Sequence, residues 1–515
     1  MTFRGRPKHG DINRTFEDTN RTSEGRPRVV WAYITTIKER GRGNGFLGKI
    51  LIEKLLRSCP DISMMYLLIR SKKGKSPKSR LDEMFESSLY DCVKKEVPTF
   101  RKKVVPIVGD LELDDLGLSE NDRNILIRKV SIIFHVAANV RFYEKLKFHI
   151  LVNVSATDTV LRIAKLMPNL KAFIYVSTIY VNFCVKNIEE RVYTHPINYK
   201  NIITFISSEN AIEKKFAKII SQWPNTYTFT KAIAEAHLKD EGGDLPIGIF
   251  RPAIISSSAS EPLVGWNDNF FGPVGLTVSI ISGIQRFKLC NPDVSLNFVP
   301  VDFTGNALIA SAWDVFNQWR KGKDMLIYNF VPPADAPTLG EYLYKIVNIS
   351  KTYPLSGAQW YPFIIILQRK SLYKIGTWLG HWLPGLLVDI VSICMNHRPR
   401  MRKIYRKIDN NSYAQAPFLM KRKNYSRDNV EVIWNRLDER DQQLFKFQMK
   451  KFDWTKYFVD FYKGICIFLL NEGDSALEIG RIRQKRFYWI HQTFKAIFIF
   501  AILWIIWIIF MKVFT

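Results

Sequence analysis

Gly41-Arg42-Gly43-Asn44-Gly45-Phe46-Leu47-Gly48 is a glycine-rich turn running straight into an amphipathic helix. Leu47, Ile50, Leu51 and Leu55 fall on one face of that helix at the spacing of successive turns. Glycine lets the backbone come close to a pyrophosphate, and a helix N-terminus offers free N–H donors and the positive end of its dipole. A glycine turn ahead of a helix is often bland, so the surrounding pattern has to decide. Gly43, Gly45, Phe46, Leu47 and Gly48 are the candidate phosphate-binding positions.

Working outward, short apolar runs recur between helical patterns from Val29 to about Asp302. They are Met64–Ile69, Val104–Val108, Ile132–Ala138, Phe173–Val176 and Ile247–Phe250, each rich in β-branched or aromatic residues and too short for a helix. Alternation of this kind predicts an α/β fold, a Rossmann-type doubly wound parallel sheet with helices on both faces. Ligands in such sheets bind beyond the carboxyl ends of the strands. The second run ends in Arg70, followed by Lys72 and Lys73. An acid there would hold a ribose 2′-hydroxyl and imply NAD; a base accommodates a 2′-phosphate and points to NADP. The plain alternative is a surface arginine. After the third run come Asp110 and Leu111, with Asp110 a candidate acceptor for an adenine amino group. Ala137 and Ala138 close the fourth run and suit a backbone lying against a cofactor, or simple close packing.

Tyr227 and Lys231 form Tyr-x-x-x-Lys, which places phenol and ammonium on one helix face. Hydride addition to a carbonyl builds charge on oxygen that then needs a proton. A phenol with a pKa near 10 is a poor donor unless a neighbouring cation brings it down. Ser177 and Thr178 end the Phe173–Val176 run, where a hydroxyl can share the developing charge of a substrate carbonyl. Arg251-Pro252-Ala253-Ile254 follows the Ile247–Phe250 run. Each element alone is as easily structural as functional. Their order along the chain is far more specific than any one of them.

The 515 residues carry a formal net charge of +27, and 47% of them are hydrophobic. That charge suits nucleic acid, an anionic membrane face or a polyanionic substrate. No nucleic-acid motif accompanies it, so nucleic acid is set aside. The six cysteines, Cys59, Cys92, Cys184, Cys290, Cys394 and Cys466, are scattered without metal spacing, which predicts buried free thiols, a reducing compartment and no metal site. Residues 1–28 read as a disordered basic tail, 29–335 as the NADP-binding domain and 336–475 as a smaller, mostly helical domain. Leu372 to Met395 is apolar but carries Lys374, His381, Pro384 and Asp389, so a core helix pair, an interfacial segment and a span all stay open. Ala496 to Met511 is an unbroken apolar run near the lower limit for a membrane span. Arg481, Arg483, Lys485, Arg486 and Lys495 precede it, which predicts a transmembrane anchor over 494–514 and a catalytic body on the cytosolic side.

These residues resemble the extended short-chain dehydrogenases, and within them the fatty acyl-CoA reductases. The likeness rests on Gly45 to Lys49, Leu51 to Arg57, Tyr66 to Arg70, Val140-Arg141-Phe142, Asn225 to Lys231, Gly265-Trp266, Gly272-Pro273, Asn291-Pro292-Asp293 and Val299 to Asp302. It covers the chain from about Gly43 to the C-terminus, including the C-terminal domain and terminal helix. It implies NADPH as cofactor, long-chain acyl-CoA as substrate and four-electron reduction to the alcohol. It makes Tyr227 the proton donor, Lys231 its lysine and Thr178, with Ser177 close behind, the hydroxyl partner. Asn153, Pro252 and Ile254 join the cofactor-binding set. The implied location is an intracellular membrane, the endoplasmic reticulum ahead of the peroxisome.

The family pattern Thr-Gly-Gly-Thr-Gly-Phe-Leu-Gly is broken here: Arg42 stands where the first glycine makes the tight turn. The apolar first strand is not directly before it, because Thr35 to Arg42 is polar. Either Val29–Ile34 serves as strand one with an insertion behind it, or the stretch before Gly43 is an incorrectly assembled translation. Two other readings stay in view. One is a membrane-linked NADP-dependent dehydrogenase acting on sterols. The other is a scaffold that has lost NADPH binding through Arg42.

Overall fold

The computed structural model describes residues 29–34, 45–71, 74–142, 144–195, 199–206, 219–322 and 324–514. The tail at 1–28, the turn residues Gly41 to Asn44 and Lys73 lie outside them. Seven strands form one parallel sheet: β1 (Val29–Ile34), β2 (Ile62–Ile69), β3 (Val104–Val108), β4 (Ile132–His135), β5 (Ala172–Val176), β6 (Ile247–Pro252) and β7 (Leu326–Phe330), in the order 7-6-5-4-1-2-3. Val29–Ile34 takes the central place. Its backbone pairs with Met64–Leu67 on one side and with Ile132–His135 on the other. The order reverses between β1 and β4, which is where a doubly wound sheet opens a crevice for a dinucleotide.

Helices cover both faces. On one, α1 (Phe46–Ser58) packs beneath the long helix Val301–Trp319. The two come close at Gly305: a Cβ there would sit 3.3 Å from the Ile50 methyl. Leu47, Ile50, Leu51 and Leu55 are all buried, as the helical spacing predicts. On the other face, α2 runs through Leu146–Ile150, a π turn at Leu151–Ser155 and Ala156–Ala164. Its Val152, Ala156, Val160 and Ala164 join Phe173, Tyr175, Ile249 and Ile327 of the sheet in one apolar core. Helix α3 (Thr226–Glu241) lies beside α2, with Ile150, Val154, Phe229 and Ile233 between them.

Two compact units emerge, each assembled from separate stretches. The first takes the chain up to Asn269, then Asn297–Ala336 and Arg422–Phe452; the second takes Phe270–Leu296, Pro337–Lys421 and Asp453 onward. In the first, Asn424–Tyr425 pairs with Asn187–Ile188, and Asn429 donates to the Ile327 carbonyl at 2.7 Å, so the 422–452 stretch is stitched to the sheet edge. The second unit is mostly helical around a two-strand parallel pair, Phe287–Leu289 with Ile365–Leu367. It ends in a helix from Asp474 to Phe514. Two helical segments, Lys370–Cys394 and Ser475–Met511, are long and apolar enough to cross a membrane.

Candidate active site

The first turn of α1 offers backbone donors to an anion. Gly45, at φ 130°, sits in the left-handed region that a side chain rarely adopts, and it starts the helix without a side-chain cap. No acid occupies the first turn. The uncapped N–H groups there, with the dipole behind them, fit the pyrophosphate of a dinucleotide. The Phe46 ring stacks on Trp266, centroids 5.2 Å apart, and Lys49 pairs with Asp268 at 2.8 Å. These two contacts hold the 265–268 loop over the start of the helix.

At the end of β2, Arg70 meets the residues that follow β3: its Nε lies 3.0 Å from Asp110 Oδ2, and its other arm reaches Glu112. Arg70 and Asp110 are therefore brought together, and a 2′-phosphate at this edge would compete with two carboxylates for the guanidinium. Leu111 and Ala137 are buried and Ala138 is half-buried, at the ends of β3 and β4. Pro252 is buried and Ile254 half-buried just past β6.

Tyr227 and Lys231 lie on the first turns of α3, which Asn225 caps by accepting from the Thr228 N–H at 2.9 Å. The half-buried phenol of Tyr227 stands between the rings of Phe142 and His149, at 6.3 and 6.4 Å. Lys231 is fully buried. Its Nζ donates to the Val176 carbonyl at 2.7 Å and lies 4.4 Å over the Tyr175 ring. Burial pushes its pKa down to about 7, against the opposing pull of Glu235. Burial alone moves Tyr227, and it moves it upward.

The two hydroxyls at the end of β5 differ. Thr178 Oγ1 accepts from the Tyr180 N–H at 3.4 Å and so caps its own short turn. Ser177 Oγ is buried and, among the described residues, has no hydrogen-bond partner. An orphaned buried hydroxyl costs about 1–3 kcal/mol, which is what a substrate oxygen would relieve.

Asn153 sits on the π turn of α2, a distortion that re-aims a side chain out of the helical register. Its Oδ1 accepts from the Asn139 N–H at 2.8 Å, and its Nδ2 donates to Thr230 Oγ1 at 3.1 Å. That amide joins the loop after β4 to α3. His149 completes the joint. Its Nδ1 faces Asn153 Nδ2 at 3.2 Å, which leaves Nε2 to donate to the Arg141 carbonyl at 2.8 Å. The hydrogen-bond network thus assigns a neutral imidazole. Behind Lys231, the fully buried Arg251 grips the Glu235 carboxylate with two bonds and donates to the Glu189 and Arg191 carbonyls. Sequence reasoning missed His149, Asn139, Glu235 and Asp268. The one available signal was spacing: His149 stands four before Asn153, and Glu235 four after Lys231.

Comparison with known proteins places this geometry. An NAD-binding family model described as male sterility protein matches residues 43–308, and a second of the same description, Sterile, matches 380–472. The fatty acyl-CoA reductase wat of Drosophila melanogaster is 36% identical over 465 residues, 90% of this chain and 89% of its own length. Fatty acyl-CoA reductase 1 of Mus musculus is 33% identical over 461 residues, 89% of each chain. Among solved structures, the terminal R domain from the myxalamid PKS-NRPS pathway has a TM-score of 0.55 at 18% identity, covering 86% of this chain and 91% of its own. The reductase domain of a nonribosomal peptide synthetase from Mycobacterium tuberculosis gives 0.54 at 17%, covering 85% and 92%. Those two share the fold. The relatives above 30% identity run through both the parallel sheet and the helical unit, and the chain belongs to the fatty acyl-CoA reductase family of oxidoreductases.

Proposed function

We propose that this protein reduces long-chain fatty acyl-CoA to the primary fatty alcohol with NADPH, through the aldehyde and with release of CoA. The observation that carries the reading is a buried hydroxyl without a partner among the described residues, Ser177, at the strand end from which the Lys231 amine is held. Tyr227 shares the first turns of α3 with that lysine. Bound NADPH would supply hydride to the carbonyl carbon, one equivalent in each of two reductions. Gly43 and the Gly45–Gly48 turn would hold its pyrophosphate, Arg70 and Lys73 its 2′-phosphate, and Asp110 and Leu111 its adenine. Ala137, Ala138, Asn153, Pro252 and Ile254 would border the rest, with Lys231 on the ribose.

In the first reduction the acyl carbonyl oxygen becomes an oxyanion. The Ser177 or Thr178 hydroxyl and the Tyr227 phenol donate hydrogen bonds to it as its charge grows. Collapse of the tetrahedral species breaks the C–S bond, and the CoA thiolate leaves and takes a proton from solvent. In the second, the Tyr227 O–H gives its proton to the alkoxide and is refilled from solvent. The terminal helix would anchor the protein in the endoplasmic reticulum membrane, with the basic stretch before it on the cytosolic side.

The test is NADPH oxidation by membranes carrying the full chain, with long-chain acyl-CoA added and lipid products separated. Fatty alcohol at two NADPH per molecule, lost in Tyr227→Phe, is the expected result. Aldehyde accumulating at one NADPH per molecule would refute the two-step reading, and no oxidation at all would refute NADPH-dependent reduction.

A further inference from the structure

The second unit contains a helix whose polarity is turned inside out. It runs through Lys370–Thr377, a π turn at Trp378–Trp382 and Leu383–Cys394, and is labelled α4 here. Tyr373, Thr377, His381, Gly385 and Asp389, spaced by four, are its buried stripe. Leu372, Ile375, Trp378, Leu387, Val391 and Ile393 are between 49% and 59% exposed. A helix at the surface of a water-soluble body shows the opposite arrangement. An exposed apolar face of this extent marks a partner or a membrane.

Length alone would allow α4 to cross: 25 residues at about 1.5 Å each make some 37 Å. Its polar stripe forbids that. Tyr373 O–H and Trp382 Nε1–H donate to the two oxygens of Asp409, at 3.1 and 2.7 Å. His381 Nε2 accepts the Arg286 N–H at 2.9 Å. Gly385 lies against the Tyr405 ring. Asp389 accepts the N–H groups of Arg400, Met401 and Arg402 at 2.8–3.1 Å, capping the helix Met401–Met420, labelled α5. The start, middle and end of α4 are thus tied to the same protein body. A crossing would strip these groups of their partners inside hydrocarbon.

The occupant of the apolar face follows from what lies beside it. The terminal helix of the same unit, α6 (Asp474–Phe514), is docked over its first half. Gln484 donates to the Ser350 carbonyl at 3.0 Å, Arg483 donates to the Ser356 carbonyl at 2.6 Å, and Trp360 packs against Phe487 and Phe494. From Phe494 to Met511 every residue is exposed. At the point of exit, Trp360 Nε1 donates to His491 at 3.3 Å, and the Arg286 guanidinium lies 5.1 Å over the Trp360 ring. Arg286 is the residue that bonds His381. The place where the terminal span leaves the protein is therefore two side chains from the midpoint of α4. Arg398, Arg400, Arg402, Lys403, Arg406 and Lys407, all exposed, follow α4 directly and suit anionic headgroups.

We propose that α4 lies in the plane of the bilayer surface as a second, monotopic lipid contact, its apolar face sunk into the leaflet from which the terminal helix enters. The unit would then be docked flat on the membrane, with α4 beside the point where α6 enters it.

The full chain, reconstituted in sealed vesicles of equal phosphatidylcholine and phosphatidylserine, tests this with a lipid-borne photolabel and peptide mapping. Label on Leu372, Ile375, Leu387 and Val391, and none on His381 or Asp389, is expected alongside label on the terminal helix. With the six native cysteines replaced by serine, Lys370→Cys and Met395→Cys, at the two exposed ends, should react with an impermeant thiol reagent from the same side of the vesicle. Label confined to the terminal helix would overturn the proposal, as would reaction of the two ends from opposite sides. Protection of the apolar face by a second copy, seen as a dimer in detergent with no lipid label on α4, would overturn it too. Leu387→Glu with Val391→Glu, both on the exposed face, should abolish the α4 label while leaving the unfolding temperature in detergent unchanged.

Discussion

Lys231→Met should make the protein more stable while removing its activity. Lys231 is fully buried, its Nζ bonded to the Val176 carbonyl, and burial brings its pKa from 10.5 to about 7. At about 1.4 kcal/mol per pH unit, that fall is a burial penalty of about 5 kcal/mol. Methionine removes the penalty but leaves the Val176 carbonyl unbonded, at about 1–3 kcal/mol. The net expectation at neutral pH is a variant more stable by about 2–4 kcal/mol. The pH dependence has a definite sign. With the folded pKa below the unfolded one, the unfolded chain binds the extra proton between pH 7 and 10.5. The wild type is therefore penalised in full below pH 7 and gains stability as pH rises through that window. The advantage of methionine should shrink in step. Urea midpoints of purified full-length protein in detergent, compared below pH 7 and at about pH 9, measure it. Equal midpoints across the range, or a wild type more stable than the variant below pH 7, would show that Lys231 holds its charge at no cost and would refute the reasoning.

Two other expectations concern the neighbouring positions. Ser177→Ala should lower kcat by about 10²-fold or more, the loss typical of one oxyanion donor, whereas Thr178→Ala should mainly loosen the Ile179–Asn182 turn. Steady-state kinetics with acyl-CoA, beside the unfolding temperature of each variant, separate the two, and a larger kcat effect at Thr178 would reverse the assignment. Arg70→Ala should raise the KM for NADPH several-fold and leave that for NADH nearly unchanged. A parallel rise in both would mean that Arg70 serves only its ion pairs with Asp110 and Glu112.

The parts of this molecule legible in the sequence are those encoded by local pattern. The β-branched runs became the strands of the sheet, and the 3.6-residue spacing of Leu47, Ile50, Leu51 and Leu55 gave the buried face of α1. What local pattern lacks is any record of which distant stretches fold together. Nothing in Phe270–Leu296 announces that it joins the helical unit, nor in Arg422–Phe452 that it returns to the sheet edge. Polarity in α4 left a core pair, an interfacial segment and a span all open. Four polar or helix-breaking residues stood out there, yet only His381 and Asp389 face inward, while Lys374 is exposed.

The pair Ser177-Thr178 shows the same gap at the scale of one bond. Successive side chains at a strand end point to opposite sides, so only one of two adjacent hydroxyls can face a given ligand. A sequence contains both hydroxyls but not the phase. The phase appears once Ser177 N–H is seen bonded to the Phe250 carbonyl at 2.7 Å, which continues the sheet one residue past β5. Thr178 is then the first residue free to turn, and its hydroxyl oxygen accepts the Tyr180 N–H at 3.4 Å, a bond that does not use its own O–H. Ser177 is left buried, its oxygen without a partner among the described residues, next in sequence to the carbonyl that holds Lys231. Resemblance pointed first to Thr178. Ser177 differs in that its buried hydroxyl has no partner among the described residues, and the kinetics of the two alanine variants decide which hydroxyl donates.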